Sequence, residues 1–98
     1  SFPIGFSLSQ NYPNPFNPVT RIRFQMKVSG LVELKIYDLL GREISNLVEE
    51  YLSPGVYEIE WSAKNFTSGL YLYQLKVFDP KVATGYLFKE TRKMMVIK

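Results

Sequence analysis

The stretch Thr20–Lys27, of sequence TRIRFQMK, decides the fold, because polar and apolar residues alternate along it without a break. Successive side chains of a β-strand point to opposite faces, so Ile22, Phe24 and Met26 fall on one face and the other face is polar. The alternation therefore predicts a strand that packs on a core with one side and faces water with the other.

The same period of two recurs along most of the chain. Turn signals rich in Gly, Pro, Asn and Ser separate the alternating segments at intervals of about ten residues. This spacing predicts an all-β protein, an immunoglobulin-like antiparallel β-sandwich of about seven strands. The last strand is predicted at Thr91–Ile97, and the predicted inward-facing residues of the others are Val32, Leu34, Ile36, Tyr57, Ile59, Trp61, Tyr71, Tyr73, Leu75 and Val77.

The segment Glu43–Leu52 is ambiguous. Its apolar residues at 44, 47, 48, 51 and 52 also fit the period of a helix. Because it lies between two strong turn signals in an all-strand context, we expect a strand or an irregular edge.

Residues 11–18, of sequence NYPNPFNP, place three prolines in six residues just before the first long strand. Each proline removes a main-chain donor and fixes φ at about −65°, so neither a helix nor a central strand can pass through. Asparagine side chains can replace some of the lost hydrogen bonds. We expect Tyr12 or Phe16 to anchor this stiff segment to the core, and the prolines to keep the first edge from pairing with other chains.

The length fits one domain. We expect residues 1–10 to be a linker end with a short first strand, and residues 11–98 to form a single β-sandwich with a Pro-rich segment at 11–18. Ser1 is not a start methionine and no secretory leader follows it, so the chain is expected to be a piece of a longer protein. No apolar run of about 20 residues predicts a membrane span.

The composition excludes several kinds of chemistry. The chain has no Cys and no His, which removes disulfides, thiolate zinc sites and every catalytic triad that needs an imidazole. The net charge of +3 is uneven, because residues 1–88 are neutral overall and the excess lies in the last ten residues. A basic end of this kind could meet an acidic partner or an anionic surface, or be a solvated edge strand protected by lysines.

Three groups of residues have a chemical interpretation beside a structural one. Glu58 and Glu60 could pair as carboxylates of a glycosidase, although alternating glutamates are common on an outward strand face. Arg21 and Arg23 with Phe24 could contact single-stranded nucleic acid, but the neutral domain lacks the required charge. A sugar-binding platform would use aromatic residues that the alternation places mostly in the core, which are Tyr57, Trp61, Tyr71, Tyr73 and Tyr86.

Four motifs follow one another along the chain, at residues 8–18 (LSQNYPNPFNP), 35–43 (KIYDLLGRE), 68–75 (SGLYLYQL) and 91–98 (TRKMMVIK). Together they resemble the type A C-terminal sorting domain of type IX secretion system cargo. The pattern is also similar to that of the immunoglobulin-like domain of the flagellar hook-capping protein. One departure is the stretch 79–90, which is longer than the hairpin expected before the last strand and leaves the pairing of the last two strands open.

The resemblance implies a non-catalytic C-terminal secretion signal on an upstream cargo protein, secreted or held at the cell surface of a Gram-negative bacterium after passage through the periplasm. Its implied partners are the outer-membrane secretion machinery, a sortase-like surface protease and the covalently linked cargo, with no cofactor, metal or nucleic acid. The motif positions matched as structural are Asn14, Pro15, Asn17, Pro18, Gly41, Arg42, Gly69 and Tyr71. Those matched to translocon recognition are Lys93, Met94, Met95, Val96, Ile97 and Lys98.

Two alternatives remain at this point. One is a passive immunoglobulin-like accessory module of a secreted enzyme or a hook-capping protein, and the other is a carbohydrate-binding module. Under the sorting hypothesis, residues 89–98 are expected to be needed for export and to matter less for the fold.

Overall fold

The computed structural model describes residues 5–81 and 85–98, and this part of the chain consists of β-strands joined by turns and loops. Within it, no helix is long and apolar enough to cross a membrane. The strands are β1 (Ser7–Leu8), β2 (Val19–Met26), β3 (Gly30–Tyr37), β4 (Glu43–Leu52), β5 (Gly55–Ser62), β6 (Gly69–Phe78) and β7 (Phe88–Val96).

The strands form two antiparallel sheets, of order β1-β2-β5 and β4-β3-β6-β7. In a constant-type immunoglobulin domain the fourth strand joins the sheet of the first, second and fifth strands. Here β4 pairs with β3 instead, so the second sheet has four strands. The predicted all-β, immunoglobulin-like sandwich of seven strands is confirmed.

The core lies between the two sheets and is built from alternate residues of the strands, as the period of two predicts. β2 contributes Ile22, Phe24 and Met26, all fully buried, and its intervening residues face outward. The other buried apolar residues are Leu8, Phe16, Val32, Leu34, Ile36, Val48, Trp61, Ala63, Tyr71, Tyr73, Leu75, Val77, Met94 and Val96.

The ambiguous segment forms β4, an edge strand of ten residues. Its register against β3 shifts twice, so that Ile44 and Leu47 have no partner on β3. A bulge of this kind changes the facing of the residues that follow it, and Leu47 packs against the core beside the buried Val48. The helix-like spacing of apolar residues is therefore a consequence of two bulges.

The hairpin between β3 and β4 is held by the Asp38 carboxylate. Its Oδ1 accepts the N–H groups of Leu40 and Arg42 at 2.9 and 3.0 Å, and its Oδ2 accepts Arg42 Nε at 2.7 Å. These donors, the Arg42 main-chain N–H above all, lower the pKa of Asp38. Gly41 has a φ of 84°, which few other residues adopt. Gly41 and Arg42, which were matched to the family motif as structural positions, both form part of this turn.

Gly69 and Tyr71, from the motif at 68–75, lie at the corner between β5 and β6, where the chain passes from one sheet to the other. Tyr71 donates its hydroxyl to Thr67 O at 2.7 Å, four residues upstream. A tyrosine bonded back to the main chain at this corner is a hallmark of immunoglobulin-like sandwiches. Gly69 begins β6 with a φ of 148°, a conformation that favours glycine.

Trp61 lies at the centre of an aromatic cluster in the core. The centroid of its ring system is 5.9 Å from that of Phe16, 5.6 Å from Phe66 and 6.2 Å from Tyr71. Its indole Nε1 donates to Ser45 Oγ on β4 at 3.3 Å. One side chain thereby joins both sheets, the loop before β6 and the proline-rich segment.

β7 is a structural part of the sandwich. It pairs with β6 over nine residues, and its Met94 and Val96 are 1% and 0% exposed. The expectation that residues 89–98 matter less for the fold is wrong, because removing them would uncover the core on the whole β7 side of β6.

The pairing of the last two strands, left open by the sequence, is continuous from Val77 opposite Phe88 to Gly69 opposite Val96. β7 begins three residues before the predicted Thr91, and its first residue, Phe88, stacks on Phe6 at 5.6 Å. Residues 82–84, within the stretch that departs from the family pattern, lie outside the described residues.

The two termini of the described chain lie at opposite ends of the sandwich. Ser7 pairs with Gln25, near the end of β2. Lys98 Nζ donates to Lys64 O at 2.9 Å, in the loop after β5, and β5 ends opposite Val19 at the start of β2. The six steps along the chain from Val19 to Gln25 span about 20 Å of strand, which sets the separation of the two ends.

Candidate recognition site

The six residues matched to recognition lie on and just after β7 and divide between its two faces. Met94 and Val96 point into the core, so a partner of the folded domain cannot reach them. Their neighbours alternate outward, and Ile97 is 50% exposed. The side chains that remain accessible are Lys93, Met95, Ile97 and Lys98.

The outer edge of β7 is paired along its C-terminal half. Phe16 donates its N–H to Met95 O at 3.1 Å and accepts the Ile97 N–H at 3.0 Å. Asn14 Oδ1 accepts the Met95 N–H at 2.9 Å. An asparagine side chain and a short parallel bridge thus take the place of a neighbouring strand, as expected for the asparagines of this segment.

Further contacts extend this pairing toward the start of β7. Gln10 Nε2 donates to Lys93 O at 2.7 Å, and Arg92 Nε donates to Leu8 O at 2.7 Å. Residues 6–18, called the N-terminal segment below, therefore cover β7 from the Phe6–Phe88 stack to Ile97.

The N-terminal segment also pairs with β2 on its other side. Ser9 donates its N–H to Arg23 O at 2.9 Å, and Tyr12 forms an antiparallel bridge with Arg21. It crosses from the first sheet to the second at the prolines, where all three X–Pro peptide bonds are cis. The segment thus closes the side of the sandwich between β2 and β7.

A buried polar network fixes the turn of this segment. Asn11 Nδ2 donates to Thr20 Oγ1 at 3.0 Å, and Thr20 Oγ1 donates to Pro13 O at 2.8 Å. The Tyr73 hydroxyl accepts the Asn11 N–H at 2.8 Å and donates to Ser9 O at 2.7 Å. Within the described ranges, no buried side-chain nitrogen or oxygen lacks a partner.

Burial raises the pKa of Tyr73 to about 12, and the protonated hydroxyl both accepts and donates a hydrogen bond. Sequence reasoning missed this role and placed Tyr73 only in the core. The available signal was a tyrosine, rather than a phenylalanine, in a buried strand, since a buried phenol needs a hydrogen-bond partner.

The aromatic anchor of the N-terminal segment is Phe16, which is 3% exposed, whereas Tyr12 is 79% exposed. The expectation that one of the two is buried is confirmed. Pro18 O accepts the Ala63 N–H at 2.7 Å and ties the segment to the end of β5. The two other motif residues matched here, Pro15 and Asn17, are exposed.

The structure does not support a glycosidase site at Glu58 and Glu60 or a nucleic-acid contact at Phe24. Glu58 and Glu60 lie on an exposed face opposite Arg23 and Arg21, as cross-strand pairs. Phe24, the base-stacking candidate, is fully buried and stacks on Tyr57 at 5.4 Å. No group of three metal-ligating side chains occurs in residues 5–81 and 85–98.

The proposed sugar platform is mostly core. Trp61, Tyr71 and Tyr73 are buried and Tyr57 is half-buried, as the alternation predicts. Tyr86 is exposed, and Lys76 Nζ and Lys89 Nζ lie 5.5 and 5.4 Å from its ring centroid. Because Tyr86 alone of these five candidates is exposed, the five do not form the aromatic strip that a carbohydrate-binding face needs.

Comparison with known proteins bears directly on these features. A family model described as "Secretion system C-terminal sorting domain" matches residues 10–84, which include the N-terminal segment from Gln10, the hairpin and the tyrosine corner. No curated protein matches the chain. The crystal structure of dimeric latent PorU from Porphyromonas gingivalis is similar with a TM-score of 0.70 and 24% identity, over 90% of this chain and 9% of that one. The likeness shows the fold, and this chain spans only a small part of that protein's length.

Proposed function

The chain belongs to the secretion system C-terminal sorting domain family, and from this premise we propose that it directs an upstream cargo protein through the outer membrane to the cell surface. Sorting domains of this family are secretion signals and not catalysts. In this proposal the outer-membrane machinery of type IX secretion recognises the domain, and a sortase-like surface protease acts on the delivered protein.

The observation that carries the proposal is the separation of the two ends. A cargo that joins before Gly5 lies at the end of the sandwich where Ser7 pairs with Gln25. Ile97 and Lys98 lie at the other end, about 20 Å away along the strands. A partner can therefore reach the end of β7 while a large protein is attached to the domain.

The signal in this proposal is a folded surface and not an unfolded tail. Met94 and Val96 belong to the core, and Met95 and Ile97 are bonded to the N-terminal segment. Deleting Met94–Lys98 would therefore damage the fold and the signal together. Point substitutions that separate outward from inward side chains are the sharper test.

The experiment fuses the domain to a periplasmic reporter in a host with type IX secretion and measures the fraction of reporter at the cell surface. We expect delivery with the domain and none without it. The triple variant Lys93→Ala, Met95→Ala, Ile97→Ala should lose most of the delivery while its melting temperature changes little, because these side chains lie outside the core.

The matched control is Met94→Ala, which removes a buried side chain and should cost about 2–5 kcal/mol of stability. Reporter that reaches the surface equally well without the domain would contradict the proposal and favour a passive immunoglobulin-like module. Normal delivery by the outward triple variant would place the signal elsewhere in the domain.

A further inference from the structure

We infer that the partner binds the outward side chains of β7 and β6, with an apolar centre and acidic groups around it, and does not add a strand to the edge of β7. This inference rests on the proposed function. It concerns a surface called the terminal face, which consists of Leu70, Leu72, Lys89, Lys93 and Met95.

The C-terminal half of the β7 edge is unsuitable for strand addition because its outward main-chain groups, from Lys93 O to the Ile97 N–H, are already bonded. Met95 N–H and C=O are held by Asn14 and Phe16, and Ile97 N–H is held by Phe16. Lys93 O accepts from Gln10 Nε2. Strand addition needs a row of unpaired donors and acceptors, and here the domain's own N-terminal segment occupies that row between Lys93 and Ile97.

The inner face of β7 is also closed to a partner, so only its outward face remains. In the register of β6 and β7, Leu70 lies opposite Met95 and Leu72 lies opposite Lys93. Paired residues share a face of the sheet, which places these four side chains side by side. Leu70 is among the exposed large apolar residues of the domain.

Two lysines lie on this face of β7, Lys93 beside Leu72 in the apolar patch and Lys89 beyond the polar pair of Thr91 and Gln74. Lys89 and Lys93 are exposed, lie four residues apart on the same face, and are thus separated by about 13 Å. Neither forms an ion pair with a carboxylate among the described residues. On the β3–β4 half of the same sheet, in contrast, Lys35 Nζ lies 3.1 Å from Glu43 Oε1.

The pattern of an apolar patch with charges at its border fits a protein partner. Protein interfaces combine an apolar centre, depleted of charge, with a polar rim. Membrane recognition through basic clusters uses about four to eight Lys or Arg, whereas this face of β6 and β7 carries three, Lys76, Lys89 and Lys93. Charge complementarity therefore favours a protein surface with carboxylates opposite Lys89 and Lys93 and apolar groups opposite Leu70 and Met95.

The test compares two charge-reversal variants of equal net charge in the reporter fusion. Lys89→Glu with Lys93→Glu alters the terminal face, and Lys27→Glu with Lys81→Glu alters exposed lysines elsewhere. We expect at least about a tenfold loss of surface delivery for the first variant and less than about a twofold change for the second. Equal delivery by the two variants, with the domain itself still required, overturns the inference and leaves the proposed function intact.

A second arm tests strand addition directly. Gln10→Ala with Asn14→Ala weakens the cover on the β7 edge without touching the terminal face. Delivery within about twofold of the unmodified domain supports recognition by side chains, whereas a rise of several-fold identifies the edge as the binding element and overturns the inference.

A third arm mixes the purified domain with vesicles rich in phosphatidylglycerol. Absence of binding supports a protein partner. Binding that is abolished by Lys89→Glu with Lys93→Glu assigns the face to a membrane and overturns the choice of partner. If the reporter reaches the surface with the whole domain removed, the proposed function itself is contradicted. This outcome differs from those that overturn only the inference about the terminal face.

Discussion

The two lateral sides of the sandwich differ, because one is closed by a segment of the chain and the other holds a groove. Between β2 and β7, the N-terminal segment bonds to both sheets and inserts Phe16 into the core. Between β4 and β5, no described segment bridges the two edge strands. A groove of about 240 Å³ lies there instead, lined by Leu47, Val48, Glu49, Glu50, Leu52, Tyr57 and Ile59.

The second side is protected by charge and irregularity. β4 carries two bulges, and Glu50 pairs with the inward-facing Val32, which puts a carboxylate on the inner face at the rim. Bulges and inward-pointing charges are devices that keep an edge strand from pairing with another chain. Among the described residues, therefore, a segment of the chain closes the β2–β7 side, whereas the β4–β5 side is protected by its charge and its bulges.

The largest expected difference between the two sides is in the stability lost when an apolar side chain is truncated. Phe16→Ala should lower the free energy of unfolding by about 3–5 kcal/mol, because it removes a buried ring that contacts Trp61. Leu47→Ala, the matched truncation on the groove side, should cost about 1–2 kcal/mol, since Leu47 is only half-buried. Urea unfolding followed by circular dichroism measures both. Equal costs would show that the two sides contribute alike.

A smaller effect is expected for Tyr73→Phe. The variant leaves the Asn11 N–H and Ser9 C=O without their partner and should cost about 1–3 kcal/mol at neutral pH. Because folding raises the pKa of Tyr73 above its ordinary value of about 10, its contribution is complete below pH 10 and is lost as the pH rises through about 12. The stability gap between the two proteins should therefore narrow over this range. A gap that stays constant from pH 9 to about 12 would contradict the assignment.

Asn14→Ala should cost about 0.5–1.5 kcal/mol, the net value of one hydrogen bond. Hydrogen exchange gives a sharper readout, since the Met95 amide should exchange faster while amides between β3 and β6 keep their protection. Asn46→Ala is the control, because Asn46 donates only to the exposed Glu49 at 3.1 Å on the other side. Unchanged exchange at Met95 in Asn14→Ala would mean that the side chain does not hold the edge.

The smallest effect on stability, within about 0.5 kcal/mol, is expected for Glu50→Val, because the carboxylate is exposed. The variant should instead self-associate, since an apolar residue replaces the charge that keeps the groove from binding a second copy. Sedimentation velocity across a concentration series measures this, with Glu58→Val on the outer face of β5 as control. If the Glu50→Val protein remains monomeric at every concentration, the charge of Glu50 is not what prevents association through the groove.

The strands that face a core on one side were predictable from the sequence. Ile22, Phe24 and Met26 on β2 alternate with polar residues, and burial follows the alternation. The hairpin at Asp38–Arg42 was predictable because its turn chemistry is local. β4 was ambiguous because bulges disturb its period, and a bulge depends on the partner strand.

The candidate site was predictable only in part, for two physical reasons. Residues 94–97 are four apolar residues in a row, so alternation cannot say whether Met94 or Met95 faces inward. The register with Tyr71 decides it. The bond between Asn14 and Met95 joins residues 81 apart in sequence, and no local pattern encodes such a contact.

The aromatic cluster in the core has a practical consequence. Trp61 is the chain's single tryptophan, and Phe16 of the N-terminal segment lies against its indole. Displacing that segment would admit water to the indole and shift its emission to longer wavelength. The fluorescence emission of Trp61 therefore reports, without any added label, whether the N-terminal segment is packed against β7.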